Sequence, residues 1–252
     1  MKKRIFAAAA AAICLLTCAA CGKEAEISVN ENVSGSSTAA PTDAAAPADA
    51  ELSVGDVVDP DPESEEYPLG SYRVASDGVK LYYENVPEEL MFALDRYFTT
   101  FQNEDYETYQ ELVFPDYKER YGEYLQENYE YGLEDSFKLN CTNLRTIMQQ
   151  AVAGDEGDSS QYTGDFTITR IKADDPELTE GETVDDLKAK LFSYFDEIFD
   201  MDYYGYVKEN SDDIEYVSFF IYAMGEDDAE HRLISGYEIA FAVKDGKYYV
   251  FG

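Results

Sequence analysis

The aromatic residues divide this chain into two unequal parts. All but one of the 22 tyrosines and 14 phenylalanines lie in residues 67–252, and the exception is Phe6. Aromatic side chains supply much of the apolar surface that a folded domain buries. Residues 67–252 are also long enough for one domain with a substantial core. The sequence therefore predicts a single folded domain over residues 67–252.

The stretch before this domain has the composition of a tether. Residues 35–50 (GSSTAAPTDAAAPADA) show no apolar periodicity, and residues 59–66 (DPDPESEE) add repelling negative charges. Such a segment buries too little apolar surface to offset its conformational entropy. We expect residues 21–66 to form a flexible tether with an end-to-end distance of ~40 Å.

The first twenty residues have the layout of a secretory signal. Lys2, Lys3 and Arg4 precede an uncharged run, Ile5 to Ala20, that is shorter than the ~20 apolar residues of a membrane-spanning helix. The run ends in small residues followed by Cys21, and so resembles the lipobox of bacterial lipoproteins. This resemblance implies that residues 1–20 are removed and that Cys21 carries a diacylglyceryl group with fatty acids such as palmitate.

Two alternatives to this anchor remain open from the sequence. Cys18 is a second candidate, although Ala20 before Cys21 suits cleavage better than Thr17 before Cys18. An ordinary secretory signal with incidental cysteines is the other. With Cys21 lipidated, the protein is expected at the cell membrane, on the extracytoplasmic face. Cys141 then remains as the single thiol, on an apolar helix face, and we expect it to be buried and unreactive.

The periodicity of residues 67–252 predicts an α+β fold. A hairpin turning at residues 77–78 comes first, and several helices, one strand and a further helix follow. Three antiparallel strands end the chain, with a last tight turn at residues 245–246. We therefore expect a curved antiparallel sheet with helices packed on one face.

This order of elements resembles the NTF2-like (cystatin-like) α+β cone over about residues 85–252. It is similar in particular to such domains in bacterial lipoproteins. The ending VKDGKYYVFG (residues 243–252) is similar to the DGKW ending of these domains, with Tyr248 where tryptophan is usual. The resemblance implies a hollow between the sheet and the first long helix. It also implies that isomerases with an Asp base and a Tyr donor, and histidine-based dehydratases, are related functions.

Residues for catalysis or metal binding are few. His231 is the only histidine, it is expected in an exposed loop, and the chain contains no G-x-S-x-G motif. Asp200, Asp202 and Gly205 match positions 1, 3 and 6 of an EF-hand, but Ser211 stands where a bidentate glutamate is needed. We predict no catalytic residue, no metal site and no cofactor.

The net charge of −34 argues against a nucleic-acid partner. The leading hypothesis is a non-enzymatic module, held on the membrane by its lipid, that binds an unknown small ligand or protein. An enzyme of isomerase or dehydratase type and a structural domain that forms homodimers are the alternatives. The candidate pocket residues are Tyr97 on the first helix, Tyr216 and Tyr222 on one strand, and Tyr237 on the next. The competing interpretation is that these rings simply fill the core.

Overall fold

The computed structural model describes residues 55–64, 69–82, 86–154 and 157–252. The strands are β1 (Tyr72–Val74), β2 (Lys80–Tyr82), β3 (Phe166–Asp174), β4 (Asp213–Gly225), β5 (Glu230–Lys244) and β6 (Lys247–Tyr249). The helices are α1 (Glu88–Asn103), α2 (Tyr106–Leu112), α3 (Pro115–Tyr129), α4 (Leu133–Ala153), α5 (Val184–Phe199) and α6 (Tyr203–Asn210), with a short 3₁₀ turn at Ser159–Gln161. In this part of the chain, no helix is both long and apolar enough to cross a membrane.

The strands form one six-stranded sheet in the order β1-β2-β3-β4-β5-β6, curled into a half-barrel. This confirms the predicted α+β class with a curved sheet. Neighbouring strands are antiparallel except for β2 and β3, which run parallel. A parallel pair needs a long crossover, and here α1 to α4 supply it. The pairing register shifts at residues 168–170 of β3 and 219–222 of β4, and such bulges bend a sheet.

Helix α1 packs against one face of the curled sheet. Glu88 and Glu89 occupy its first turn, where the helix dipole favours negative charge. Its apolar side chains are buried at helical spacing, and the ring of Phe98 packs on Phe219 of β4 at 4.8 Å between centroids. Burying a side chain of this size contributes about 1.5–3 kcal/mol. The buried side chains of α1 therefore stabilise its packing on the sheet.

The C-terminal residues complete the core between the helices. The Phe251 ring lies 4.8 Å from the Phe192 ring of α5 and 5.9 Å from the Tyr117 ring of α3. The Val250 N–H donates to the Leu112 carbonyl at 2.8 Å. The last residues thus join α3 and α5 to the end of the sheet.

Residues 55–64, which precede the predicted domain start at residue 67, contact strand β1. Gly55 N–H donates to the Val74 carbonyl at 2.9 Å, and Val58 pairs with Tyr72 through two backbone hydrogen bonds of 2.7 and 3.0 Å. These bonds join residues 55 and 58 to the outer edge of β1. The signal sequence, Cys21 and the tether up to residue 54 lie outside the described residues.

Three local expectations have different outcomes. Cys141 is 2% exposed, as predicted, and burial raises the pKa of its thiol to about 11. His231 lies in β5 rather than in an exposed loop, and its Nε2 is 2.8 Å from an Asp227 carboxylate oxygen. The rejected EF-hand segment forms the unpredicted helix α6, in which Asp202 caps the start by accepting from the Gly205 N–H at 2.8 Å.

Candidate functional site

Tyr97 lies inside the core, and Tyr237 is a partly buried side chain that packs against the core from the α1 side of the sheet. Tyr97 is 6% exposed and its hydroxyl donates to the Gly252 carbonyl at 2.5 Å. The Tyr237 ring lies 5.2 Å from Phe219, the same side chain that contacts α1. Burial raises the pKa of both hydroxyls, so both stay protonated. Tyr97 is therefore a core side chain, and Tyr237 contacts the core from the same face of the sheet.

Tyr216 and Tyr222 lie on the opposite side of the sheet. Tyr216 alternates with Phe219 along β4, and its hydroxyl donates to a Glu238 carboxylate oxygen at 2.7 Å. Tyr222 is the register partner of Arg170, whose guanidinium lies 4.1 Å from the Tyr222 ring centroid. The structure therefore divides the four predicted pocket tyrosines between two faces and does not bring them to one pocket.

A different set of tyrosines converges at the surface. Their rings are all partly exposed, and they come from α3, from the turn after α3 and from α5. We call them the tyrosine cluster: Tyr121, Tyr124, Tyr129, Tyr131 and Tyr194. Successive ring centroids along the first four are 6.0, 5.9 and 5.8 Å apart. The hydroxyl of the fifth lies close enough for the other four to raise its pKa, after burial, which is the larger cause.

The local sequence explains how the rings meet. Tyr117, Tyr121 and Tyr124 share one face of α3, and the buried Tyr117 anchors that face against Phe195 of α5 at 5.1 Å. Glu130 then ends the helix in the left-handed conformation, with φ of 64°. That turn reverses the chain before α4, and it places the residues on either side of Glu130 beside each other on the cluster.

The ring geometry changes along the cluster. Tyr121 is stacked between Tyr117 and Tyr124, with interplanar angles of 20° and 17°. The next ring, Tyr129, stands at 70° to Tyr124, and the two hydroxyl oxygens are 3.4 Å apart. Tyr131 follows at 34° to Tyr129. The first rings thus cover one another, whereas Tyr124, Tyr129 and Tyr131 form a corner.

The surroundings of the cluster are acidic. Residues 121–137 contain no lysine or arginine. Their acidic side chains are all exposed: Glu123, Glu127, Glu130, Glu134 and Asp135. Burial raises the pKa of Tyr121 to about 12, and burial followed by neighbouring groups raises the pKa of Tyr124 and Tyr131. Tyr121, Tyr124 and Tyr131 are therefore neutral phenols, and the cluster lies within a negative field, which disfavours anionic ligands.

Only part of this cluster is visible in the sequence. The helical spacing of residues 117, 121 and 124 is evident, and it indicates a shared face without showing whether that face is buried. Tyr129 and Tyr131 join it only through the turn at Glu130, and Tyr194 only through the packing of α5 on α3. The density of tyrosine in residues 117–131 is the one signal that points to this region.

Asp95 of α1 is a second unusual group. It is 1% exposed, and among the described residues neither carboxylate oxygen has a hydrogen-bond partner. Burial raises its pKa to about 8, and the nearby carboxylate of Asp77 in the β1–β2 turn raises it further in the same direction. The Asp77 carboxylate is itself held by the Val79 N–H at 3.1 Å. Asp95 is therefore a protonated acid at neutral pH, buried against a hairpin turn.

A surface cavity of about 210 Å³ lies between α5, α6 and the start of β4. Its lining mixes both charges: Asp185, Lys188, Tyr204, Lys208, Ser211, Asp212, Asp213 and Ile214. Lys208 is 3.8 Å from an Asp185 oxygen and lies over the Tyr204 ring at 4.9 Å. The volume is below the ~300 Å³ of ordinary small-molecule sites. Because Lys208 already contacts Asp185 and Tyr204, this cavity is a weaker candidate site than the tyrosine cluster.

Within the described ranges, no group of three or more His, Cys, Asp or Glu side chains is arranged to hold a metal ion. No protein-family model, curated protein or solved structure matches this chain. The candidate site therefore rests on its own geometry: five partly exposed phenol rings, a corner between three of them, and carboxylates around it.

Proposed function

We propose that this protein is an extracytoplasmic lipoprotein whose folded domain binds a ligand through the tyrosine cluster, without catalysis. The convergence of five partly exposed rings from three segments carries the proposal. Exposed aromatic patches on monomeric proteins mark interaction sites more often than chance, and tyrosine is enriched among residues that dominate binding energy. A ring with one polar tip can contact both apolar and polar parts of a ligand.

The N-terminal layout supports the membrane part of this proposal. A basic start, an uncharged run and small residues before Cys21 fit a lipoprotein signal, and the Ala-, Pro- and Ser-rich stretch that follows fits a spacer. Two or more acyl chains hold a protein on a bilayer far better than one. The curled sheet and its helices also suit the NTF2-like cone, a fold that we retain as a proposal.

The packing of Tyr97 and Tyr237 favours binding over catalysis. An isomerase of the cone type needs an Asp base and a Tyr donor facing an open hollow. Tyr97 instead donates to the Gly252 carbonyl, and Tyr237 packs on Phe219. The five partly exposed rings of the tyrosine cluster lie on the helical surface, where they form a contact surface rather than an enclosed pocket.

The anchor is tested by mass spectrometry of the mature N-terminus. The expected result is a lipidated Cys21, with release of the Cys21→Ala variant from membranes. An N-terminus at any other residue, including Cys18, contradicts the assigned anchor.

The binding surface is tested by ¹⁹F NMR of the full chain labelled with 3-fluorotyrosine. A fixed panel of choline, N-acetylglucosamine, phosphate and a Pro-rich peptide is titrated separately. We expect at least one probe to shift the signals of the tyrosine cluster, with Tyr162 and Tyr222, both partly exposed elsewhere, unaffected. A panel that shifts no cluster signal, or shifts all surface tyrosines alike, contradicts the proposal.

A further inference from the structure

The corner of the tyrosine cluster has the chemistry of a cation site. We infer that it binds an organic cation, specifically a methylated ammonium group, and this inference rests on the proposed binding function. The corner consists of Tyr124, Tyr129 and Tyr131, with one pair of rings at 70° and the next at 34°. Rings at an angle can surround a rounded ammonium group, which is attracted to an aromatic face within about 6 Å of its centroid.

The protein's own cations make the same contact elsewhere. Five Lys or Arg side chains lie over aromatic rings in the described part of the chain, and the rings are Tyr72, Phe92, Tyr206, Tyr222 and Tyr204. None of these five rings belongs to the tyrosine cluster. The cluster thus combines exposed rings and the local excess of carboxylates without a lysine or arginine over any of its described rings.

The nearest basic side chains in sequence are engaged by other groups. Arg120 donates to an Asp116 oxygen at 2.8 Å and lies over the Tyr206 ring at 5.4 Å. Lys138 donates to a Glu134 oxygen at 2.7 Å. The carboxylates that act on the corner rings are Glu197, beside Tyr124, and Asp135, beside Tyr131. An external cation would therefore meet the aromatic corner in their negative field without displacing an internal one.

The geometry favours a cation over a sugar. A sugar stacks on a flat, open ring face, but Tyr121 is covered on its two sides by Tyr117 and Tyr124. The surface that remains is the corner, and corners suit compact groups. A methylated ammonium is also less strongly hydrated than a primary one, so less hydration free energy is lost when it packs against the ring faces at the corner.

The test compares choline with 3,3-dimethylbutan-1-ol, a neutral molecule of the same shape. Both are titrated into the full chain labelled with 3-fluorotyrosine and followed by ¹⁹F NMR. We expect choline to bind at least about tenfold more tightly, the effect of one to two cation–π contacts. Equal affinities, or tighter binding of the neutral molecule, overturn the inference.

Variants separate a specific site from a general effect. Tyr129→Leu should weaken choline binding about tenfold, whereas the matched Tyr222→Leu, on the opposite side of the sheet from α1, should leave it unchanged. Glu197→Gln with Asp135→Asn should weaken choline binding several-fold and leave the neutral isostere unaffected, because these carboxylates act on Tyr124 and Tyr131. This second test stands even where Tyr129→Leu disturbs the fold, because both carboxylates are exposed. Insensitivity of choline to this pair of substitutions overturns the inference.

The outcomes also separate this inference from the proposed function. Binding of N-acetylglucosamine or of the Pro-rich peptide at the cluster, with choline inactive, overturns the cation site and leaves the binding module standing. If no probe shifts the cluster, both fail. If choline shifts it and the neutral isostere does not, both are supported.

Discussion

Asp95→Asn should change how the stability of the domain depends on pH. Asp95 is 1% exposed and its pKa is raised from 3.8 to about 8, mainly by burial and then by Asp77. The folded protein therefore retains this proton over a range in which the unfolded chain has lost it. The contribution of Asp95 to stability is fully present below the unfolded pKa, and it is lost as the pH rises through the folded pKa.

The size of the effect follows from the two pKa values. Each pH unit between them costs the folded state about 1.4 kcal/mol relative to the unfolded state. From pH 5 to pH 8 the wild-type domain should lose about 4 kcal/mol through Asp95 alone. Asparagine has nearly the same shape and does not titrate, so the variant should lack this loss. A buried amide without a full set of partners costs about 1–3 kcal/mol at every pH, which shifts the whole curve without changing its slope.

The assay is urea unfolding of both proteins at pH 5, 6, 7 and 8. The difference in unfolding free energy, variant minus wild type, should increase by about 4 kcal/mol over this range. Asp175→Asn, at an exposed position, is the matched control and should give a constant difference. Asp77→Asn should reduce the slope in part, because it removes the second cause of the raised pKa. Parallel curves for Asp95→Asn and wild type would refute the buried protonated acid.

Three further changes test the fold. Asp200→Gly should stabilise the domain by about 0.5–1 kcal/mol in thermal unfolding. Asp200 ends α5 with φ of 50° and adds negative charge at the negative end of the helix dipole. A loss of stability in this variant contradicts the reasoning. Tyr97→Phe should cost about 1 kcal/mol through the lost bond to Gly252, and Tyr97→Ala about 3 kcal/mol or more, as expected of a core ring. If Tyr97→Ala leaves the unfolding free energy nearly unchanged, the result would instead support the open hollow that the cone resemblance implies. Removing residues 1–66 should lower the unfolding free energy by roughly 1–3 kcal/mol relative to removing residues 1–52. Only the longer deletion removes the hydrogen bonds of residues 55 and 58 to β1. Equal stabilities of the two deletion variants would show that these bonds do not stabilise the domain.

Elements with strong local signals are predictable from this sequence. Thr183 caps α5 as expected, since its side chain accepts from the Asp186 N–H while the Asp186 carboxylate accepts from the Thr183 N–H. The turn at residues 77–78 and the turn at residues 245–246 both contain a glycine with positive φ, which is why Asp-Gly marked them correctly. In each case the residues that decide the structure are within four positions of one another.

Elements that depend on distant partners were missed or misplaced. The parallel pairing of β2 with β3 joins residues 80–82 to residues 170–172 across four helices, and no local pattern encodes it. Residues 55–64 lack apolar periodicity, and they are ordered by backbone bonds to the edge of β1 rather than by their own side chains. Composition predicts a tether for such a segment, because composition reflects how many side chains can be buried and not whether a strand edge offers backbone hydrogen bonds.

The candidate site likewise depends on contacts between distant residues, which local sequence patterns do not reveal. The sequence pointed to strand tyrosines because alternation along a strand is easy to read, but alternation alone does not decide which face is covered. Tyr216 and Tyr237 lie on opposite faces: Tyr237 packs on Phe219, which contacts α1, whereas Tyr216 is buried on the other face and donates to Glu238. The cluster on α3 arises instead from a helix end at Glu130, where a left-handed residue turns two neighbouring segments of chain together. A ring's role therefore depends on what packs over it, and each ring of the tyrosine cluster stays partly exposed beside acidic side chains.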